Sequence, residues 1–184
     1  AKMFAVLDCG TTTTRVYIVD ENRSILASGR EKVGVRDTAI TGSRDTLRSG
    51  ITKLFRETLS TLGLEETDIS YVIASGMITS ELGLMEIPHL VAPAGLHELA
   101  ESIYEAKSGE VLPIACPVYF IRGIRNDYGT DVRAEKLRTV DFMRGEEAQV
   151  MGILTETENR GPCTIVALSS HTKLIYVDEN NRIA

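Results

Sequence analysis

Asp8-Cys9-Gly10-Thr11-Thr12-Thr13-Thr14-Arg15 gathers one carboxylate, one glycine and four hydroxyls into eight residues. An apolar run precedes it, at positions 3–7, and an alternating run, Arg15-Val16-Tyr17-Ile18-Val19, follows, so the stretch reads as the turn of a β-hairpin. Gly10 permits a positive φ at such a turn. Threonine amides and hydroxyls held in one short arc can bind a phosphate without a helix or a Walker lysine. Asp8, at the end of the first strand, is then placed to hold a hydrated Mg²⁺, which prefers oxygen ligands and keeps several waters. The same residues could instead form an ordinary hairpin whose Asp and Thr side chains bond their own backbone.

The elements that would position this turn follow from periodicity. Residues 4–7, 16–20 and 25–33 read as three antiparallel strands, with 34–44 as a loop. A helix over 45–62 places Leu47, Ile51, Leu54, Phe55, Thr58 and Leu59 on one face. The apolar run 70–75, closed by Gly76, reads as a buried strand that returns parallel to the first hairpin. Pro88, Pro93 and Gly83 exclude a long helix over 77–93. A short helix is expected at 96–106, and strand segments at 111–115 and 118–121. Pro117 suits the second of these to a sheet edge or a bulge. A helix is expected over 142–154, the best linker is Asn159-Arg160-Gly161-Pro162, and 163–168 with 174–177 form a terminal hairpin around a polar turn.

Composition narrows the classes. The 184 residues are 43% hydrophobic and 25% charged, as in an ordinary globular protein. Lys and Arg number 20 against 26 Asp and Glu, a formal charge of −6, which opposes the broad basic footprint of a nucleic-acid binder. A small anionic ligand needs only local cations. Cys9, Cys116 and Cys163 are widely spaced and odd in number, so neither a disulfide framework nor a zinc site is expected. No apolar run reaches the roughly 20 residues of a membrane span, and no signal peptide is read at the start; a cytoplasmic protein without a membrane partner is expected.

Strand, hydroxyl-rich turn and strand occur twice, near 3–19 and 164–177. In this the chain resembles the sugar kinases of the actin, hexokinase and heat-shock-chaperone superfamily, whose two phosphate loops are such hairpins. Asp8-Cys9-Gly10-Thr11-Thr12, Ser75-Gly76-Met77, Met143-Arg144-Gly145-Glu146-Glu147-Ala148-Gln149 and Ser170-His171-Thr172-Lys173 are similar to the corresponding stretches of the 2-dehydro-3-deoxygalactonokinase family. The Met-Arg-Gly-Glu-Glu run is the most specific of them. The implied fold is α/β, an actin-like (ribonuclease H-like) ATPase domain over 1–160 with a mixed sheet whose first three strands are antiparallel. Residues 161–184 would open a second, similar domain.

The resemblance implies ATP-dependent phosphorylation of the 6-hydroxyl of 2-dehydro-3-deoxy-D-galactonate. Asp8 would serve Mg²⁺, Gly10, Thr11, Thr12 and Thr13 the phosphates, and Ser169, Ser170, Thr172 and Lys173 the phosphates from the opposite side. Glu146, at a helix start, would accept the hydroxyl proton, with Asp141 the alternative base; a first-turn glutamate can equally complement the helix dipole. A sugar acid calls for a guanidinium, and Arg144, Arg125 and Arg122 are the candidates in that order. Gly76 and Met77 would line the sugar, and His171 would touch a phosphate or the substrate. Where the family has Pro-Gly-Thr-His, this chain reads Leu168-Ser169-Ser170-His171. Ending at Ala184, it reads as an N-terminal portion, inactive alone, that would dimerise through an exposed terminal hairpin. The alternative reading is a non-catalytic actin-like module that binds a sugar acid or a partner chain.

Overall fold

The computed structural model describes residues 2–129, 134–135, 140–169 and 171–184. They fall into two compact units, one of Ala1–Ile87 with Ile103–Ile121 and one of Pro88–Ser102 with Arg122–Ala184.

In the first unit, β1 (Met3–Cys9), β2 (Thr14–Asp20) and β3 (Ile25–Glu31) form the expected antiparallel meander. Helix α1 (Val35–Thr41) and helix α2 (Asp45–Ser60) lead into β4 (Ile69–Gly76), which pairs parallel to β1. Leu47, Ile51, Leu54, Phe55, Thr58 and Leu59 are all buried, so the 3.6-residue stripe of α2 is the face that meets the sheet. Ala5, Leu7 and Cys9 of β1, with Val16 and Ile18 of β2, lie in the same core. Phe4 stacks on Tyr71 with ring centroids 5.3 Å apart, and Tyr71 meets the edge of the Tyr119 ring at 5.7 Å, an aromatic row across neighbouring strands.

Four expectations about this unit and its continuation are corrected. Residues 34–44 are not all loop: α1 forms because the Asp37 carboxylate accepts the Gly34 N–H at 2.9 Å while Val35 and Thr38 are buried beneath it. The helix expected over 96–106 stops early, as α3 (Leu96–Glu101) in the second unit, and Tyr104–Ala106 is instead a strand, β6, of the first. Residues 111–115 form no strand; Val111, Leu112 and Ile114 are apolar because they fill the core from an irregular segment. Strand β7 (Val118–Phe120) lies inside the sheet, whose order is β3-β2-β1-β4-β7-β6. Pro117 is tolerated there because its carbonyl accepts the Val72 N–H at 2.9 Å while no N–H of its own is required.

In the second unit, β5 (Leu90–Val91) pairs parallel to β8 (Ile124–Arg125), which pairs antiparallel to β9 (Phe142–Met143). The expected helix therefore starts four residues late, as α4 (Glu146–Glu156), because Phe142 and Met143 are drawn into that ladder. The terminal hairpin is present as β10 (Cys163–Ala167) and β11 (Lys173–Val177). Val166, Leu174 and Tyr176 are exposed along it, and Leu168 in its turn is 81% exposed. Among the described residues, no helix is long and apolar enough to cross a membrane.

Candidate functional site

The turn between β1 and β2 is closed by the Gly10 N–H, which donates to the Thr13 carbonyl at 2.9 Å. Helix α1 ties down the carbonyls of the same turn: the Val35 N–H donates to Gly10 and the Arg36 N–H to Thr11, at 3.3 and 2.9 Å. Gly34 makes that approach feasible, since a Cβ there would lie 2.3 Å from the Thr11 oxygen. Thr14 is buried and its hydroxyl donates to the Val33 carbonyl at 2.7 Å, so the fourth threonine is structural. Among the described residues, the amides and hydroxyls of Thr11, Thr12 and Thr13 make no protein hydrogen bond. Carbonyls spent on the scaffold and donors left over describe a turn that accepts an anion.

Asp8 and Gly76 stand beside this turn because the β1–β4 register pairs Asp8 with Ser75 and Cys9 with Gly76. Gly76 has φ 91°, ψ −149°, and a Cβ would sit 2.5 Å from the Cys9 oxygen and 3.3 Å from Asp8 Oδ1. The space over the Asp8 carboxylate is thus kept by a glycine. Among the described residues, no group of three or more His, Cys, Asp and Glu side chains gathers as a metal-binding set. A single carboxylate at the end of β1, with only a glycine against it from β4, fits a Mg²⁺ that retains most of its waters. Burial pushes the Cys9 thiol up to about 12, so the cysteine in this stretch stays protonated and unreactive. Met77, half-buried, follows Gly76 in a 3-10 turn, Met77–Thr79. Gly76→Ala combines a forbidden φ with a backbone clash and should cost more than about 2 kcal/mol. Thermal unfolding measures it; an unchanged midpoint would show that the strand end relaxes freely.

The second unit brings His89, Gly123 and Arg144 to one end of its small sheet, since they flank β5, β8 and β9. A Cβ on Gly123 would lie 2.7 Å from both the His89 ring and Arg144 Cγ. The Arg144 guanidinium stands 3.3 Å from His89 Nδ1. An arginine only donates, so Nδ1 accepts and the ring proton resides on Nε2. Burial first, then the charges of Arg144, Arg125 and Lys173, depress His89 to about 4, and the ring is neutral at physiological pH. The sequence names Glu147 only within the Met-Arg-Gly-Glu-Glu run, with no role, and gives no sign of His89.

Glu146 is the first residue of α4, half-buried, and its Oε2 is buried without a hydrogen-bond partner among the described residues. Glu147 beside it is fully buried, and both its oxygens accept the Gly145 N–H, at 2.8 and 2.9 Å. Burial dominates its titration and raises it from 4.5 to about 7. The folded-state pKa lies above the unfolded one, so this contribution to stability is fully present below about pH 4.5 and is lost as pH rises through about 7. Glu147→Gln should flatten the decline in denaturant-derived stability between pH 5 and 8, by about 3 kcal/mol at most. Comparing the two proteins isolates Glu147, because His89 contributes the opposite slope below its ordinary 6.5. Parallel curves would refute the assignment.

Other expected site residues are engaged elsewhere. Arg122 donates to the Ser102 carbonyl at 2.8 Å and to Pro88 at 3.4 Å. Arg125 lies over the Tyr128 ring at 4.5 Å and donates to the Asn126 carbonyl at 3.1 Å. Asp141 is exposed, accepts the Phe142 N–H at 2.8 Å and stands 3.8 Å from the Lys173 ammonium. Lys173 also donates to the Phe142 carbonyl. The Ser169 hydroxyl donates to the His171 carbonyl at 3.0 Å; His171 and Thr172 are exposed, and Ser170 lies outside the described residues.

The family model of 2-keto-3-deoxy-galactonokinase matches residues 8–183 of the chain. Among solved structures, a candidate 2-dehydro-3-deoxygalactonokinase from Sinorhizobium meliloti is similar over 98% of this chain and 51% of its own, with TM-score 0.73 and 21% identity. A reductive activator for a corrinoid, iron–sulfur protein is similar over 97% of this chain and 30% of its own, with TM-score 0.54 and 14% identity. At such identities the likeness is one of fold. The chain spans about half the length of the Sinorhizobium protein it matches. No curated protein matches it.

Proposed function

The chain belongs to the 2-keto-3-deoxy-galactonokinase family, and from that premise we propose that it serves ATP-dependent phosphorylation of the 6-hydroxyl of 2-dehydro-3-deoxy-D-galactonate. One observation carries the proposal: the turn at 10–13 keeps three threonines' amides and hydroxyls unengaged while Asp8 lies at its base. Phosphoryl transfer asks for little covalent chemistry from a protein and much positioning. Thr11, Thr12 and Thr13 would hold phosphate oxygens, Gly10 shapes the turn, and Asp8 would hold the metal. Mg²⁺, when bound with ATP, neutralises phosphate charge. Ser169, Ser170, Thr172 and Lys173 are proposed to face the phosphates from the second hydroxyl-rich turn.

Glu146 is proposed as the general base, a role supported by its unpartnered buried oxygen. Arg144 and Arg125 are proposed to hold the substrate carboxylate. Arg122 ranks third, since its guanidinium is spent on backbone carbonyls. Gly76 and Met77 line the sugar, and His171 contacts phosphate or substrate. Residues 161–184 are proposed to open a second domain, and a cytoplasmic location is proposed. The exposed face of β10 and β11 is proposed to pair with a second copy of the chain, as one self-complementary patch can.

Calorimetric titration tests the reading. The chain should bind the sugar acid, with weaker affinity for ATP·Mg. Binding of neither ligand would favour a non-catalytic actin-like module and overturn the kinase proposal.

A further inference from the structure

Beside the threonine turn, the first unit holds a pocket of about 370 Å³ lined by Thr12, Thr13, Lys32, Arg36, Asp37 and Ile40. We infer that Lys32 and Arg36 make this pocket, with Thr12 and Thr13, a binding site for a phosphoryl dianion. The inference rests on the phosphate reading of the turn and extends it to two cations that no motif named.

Lys32 lies on the connection from β3 to α1 and Arg36, four residues on, in the first turn of α1, where its own N–H donates to the Thr11 carbonyl at 2.9 Å. Backbone hydrogen bonds from Val35 and Arg36 thus hold Arg36 beside the turn, and Lys32 lines the same pocket. Among the described residues, neither side chain has an ion-pair or hydrogen-bond partner. Asp37 is the one carboxylate in the lining, and its Oδ2 is occupied by the Gly34 N–H at 2.9 Å. Two positive charges against one engaged carboxylate leave the pocket locally cationic, in a chain whose formal charge is −6. Such a focus attracts an anion that the rest of the surface repels.

The charge count selects the anion. A carboxylate carries one charge and is matched by a single guanidinium, whereas a phosphoryl group near pH 7 carries close to two and offers three acceptor oxygens. Two cations and two threonines supply that many charges and donors. The second unit has arginines of its own for a carboxylate. Inorganic phosphate, the terminal phosphate of a nucleotide and the phosphate of a product share this chemistry, and the probes below separate them.

The experiment is a ¹H–¹⁵N NMR titration of the chain with inorganic phosphate, with ATP·Mg and with the sugar acid, repeated for Lys32→Ala, Arg36→Ala and the conservative Arg36→Lys. Phosphate should shift the amides at 11–13 and 34–37 and saturate. Each alanine variant should weaken it about tenfold, as expected for loss of one charge-assisted bond, and Arg36→Lys should recover part of that loss. ATP·Mg should compete with phosphate for the same amides. Both side chains are exposed, so unchanged spectra elsewhere confirm that the variants fold. Shifts that never saturate, or equal affinities in wild type and both alanine variants, overturn the inference. So do shifts at these amides caused by the sugar acid and not by phosphate, and in that case the kinase reading stands while the site assignment fails. Phosphate binding that depends on Lys32 and Arg36, in a chain that binds neither ATP·Mg nor the sugar acid, upholds the site and overturns the kinase reading.

Discussion

Glu146→Gln, assayed in a chain carrying the whole family length, is expected to lower turnover by about 10²–10⁴-fold with little change in sugar-acid affinity. The amide keeps the shape of the side chain and removes only its ability to take a proton. Three carboxylates lie just before β9 and at the start of α4, and the structure separates them. Glu147 is fully buried with both oxygens turned to the Gly145 N–H, an anchor for the helix start. Asp141 is exposed, with an oxygen on the following N–H and a lysine nearby. Glu146 alone has a buried oxygen without a partner among the described residues. A steady-state comparison decides: if Asp141→Asn loses more turnover than Glu146→Gln, the base has been assigned to the wrong carboxylate.

Asp8→Asn should cut turnover by a similar factor while leaving sugar-acid binding nearly intact. Its carboxylate lies near the end of β1 beside Gly76, which brings no Cβ against it. An amide oxygen carries no net charge and holds a hydrated dication poorly, so phosphate charge goes unneutralised at the moment of transfer. The sugar acid should bind the variant calorimetrically as it binds the parent. Unchanged turnover at saturating Mg²⁺ would refute the metal role.

These assignments drew unequally on the sequence. The meander, α2 and β4 were legible because burial imposes a period: Leu47, Ile51, Leu54, Phe55 and Leu59 could only face one way. The threonine turn was legible as local turn chemistry, but Gly10 does not take the expected positive φ; it is needed because a Cβ there would lie 2.9 Å from the Thr13 carbonyl oxygen. Helix α1 was not, because its seven residues, four of them polar, show no helical apolar stripe and are held by a bond from Asp37 back to Gly34 and by two buried side chains. Strand β7 was legible at 118–121, though not its interior place; β6 and β9, three and two residues long, exist through remote partners, and a short apolar run does not say whether it pairs or merely fills space, as 111–115 does. His89 was missed for the same reason: its neighbours Gly123 and Arg144 are 34 and 55 positions away and meet it only in the folded sheet. Lys32 and Arg36 carried a faint signal, two cations around a glycine after a strand, which charge counting alone cannot tell from a solvated loop.

The central claim is transfer of a phosphoryl group to one hydroxyl of one sugar acid. ³¹P NMR of a reaction containing ATP·Mg, 2-dehydro-3-deoxy-D-galactonate and the protein at the full family length tests it most directly. The account predicts a new phosphate monoester resonance coupled to the protons on carbon 6, growing as ADP appears. ADP formed without a sugar phosphate, or a phosphate on any other hydroxyl, would contradict it.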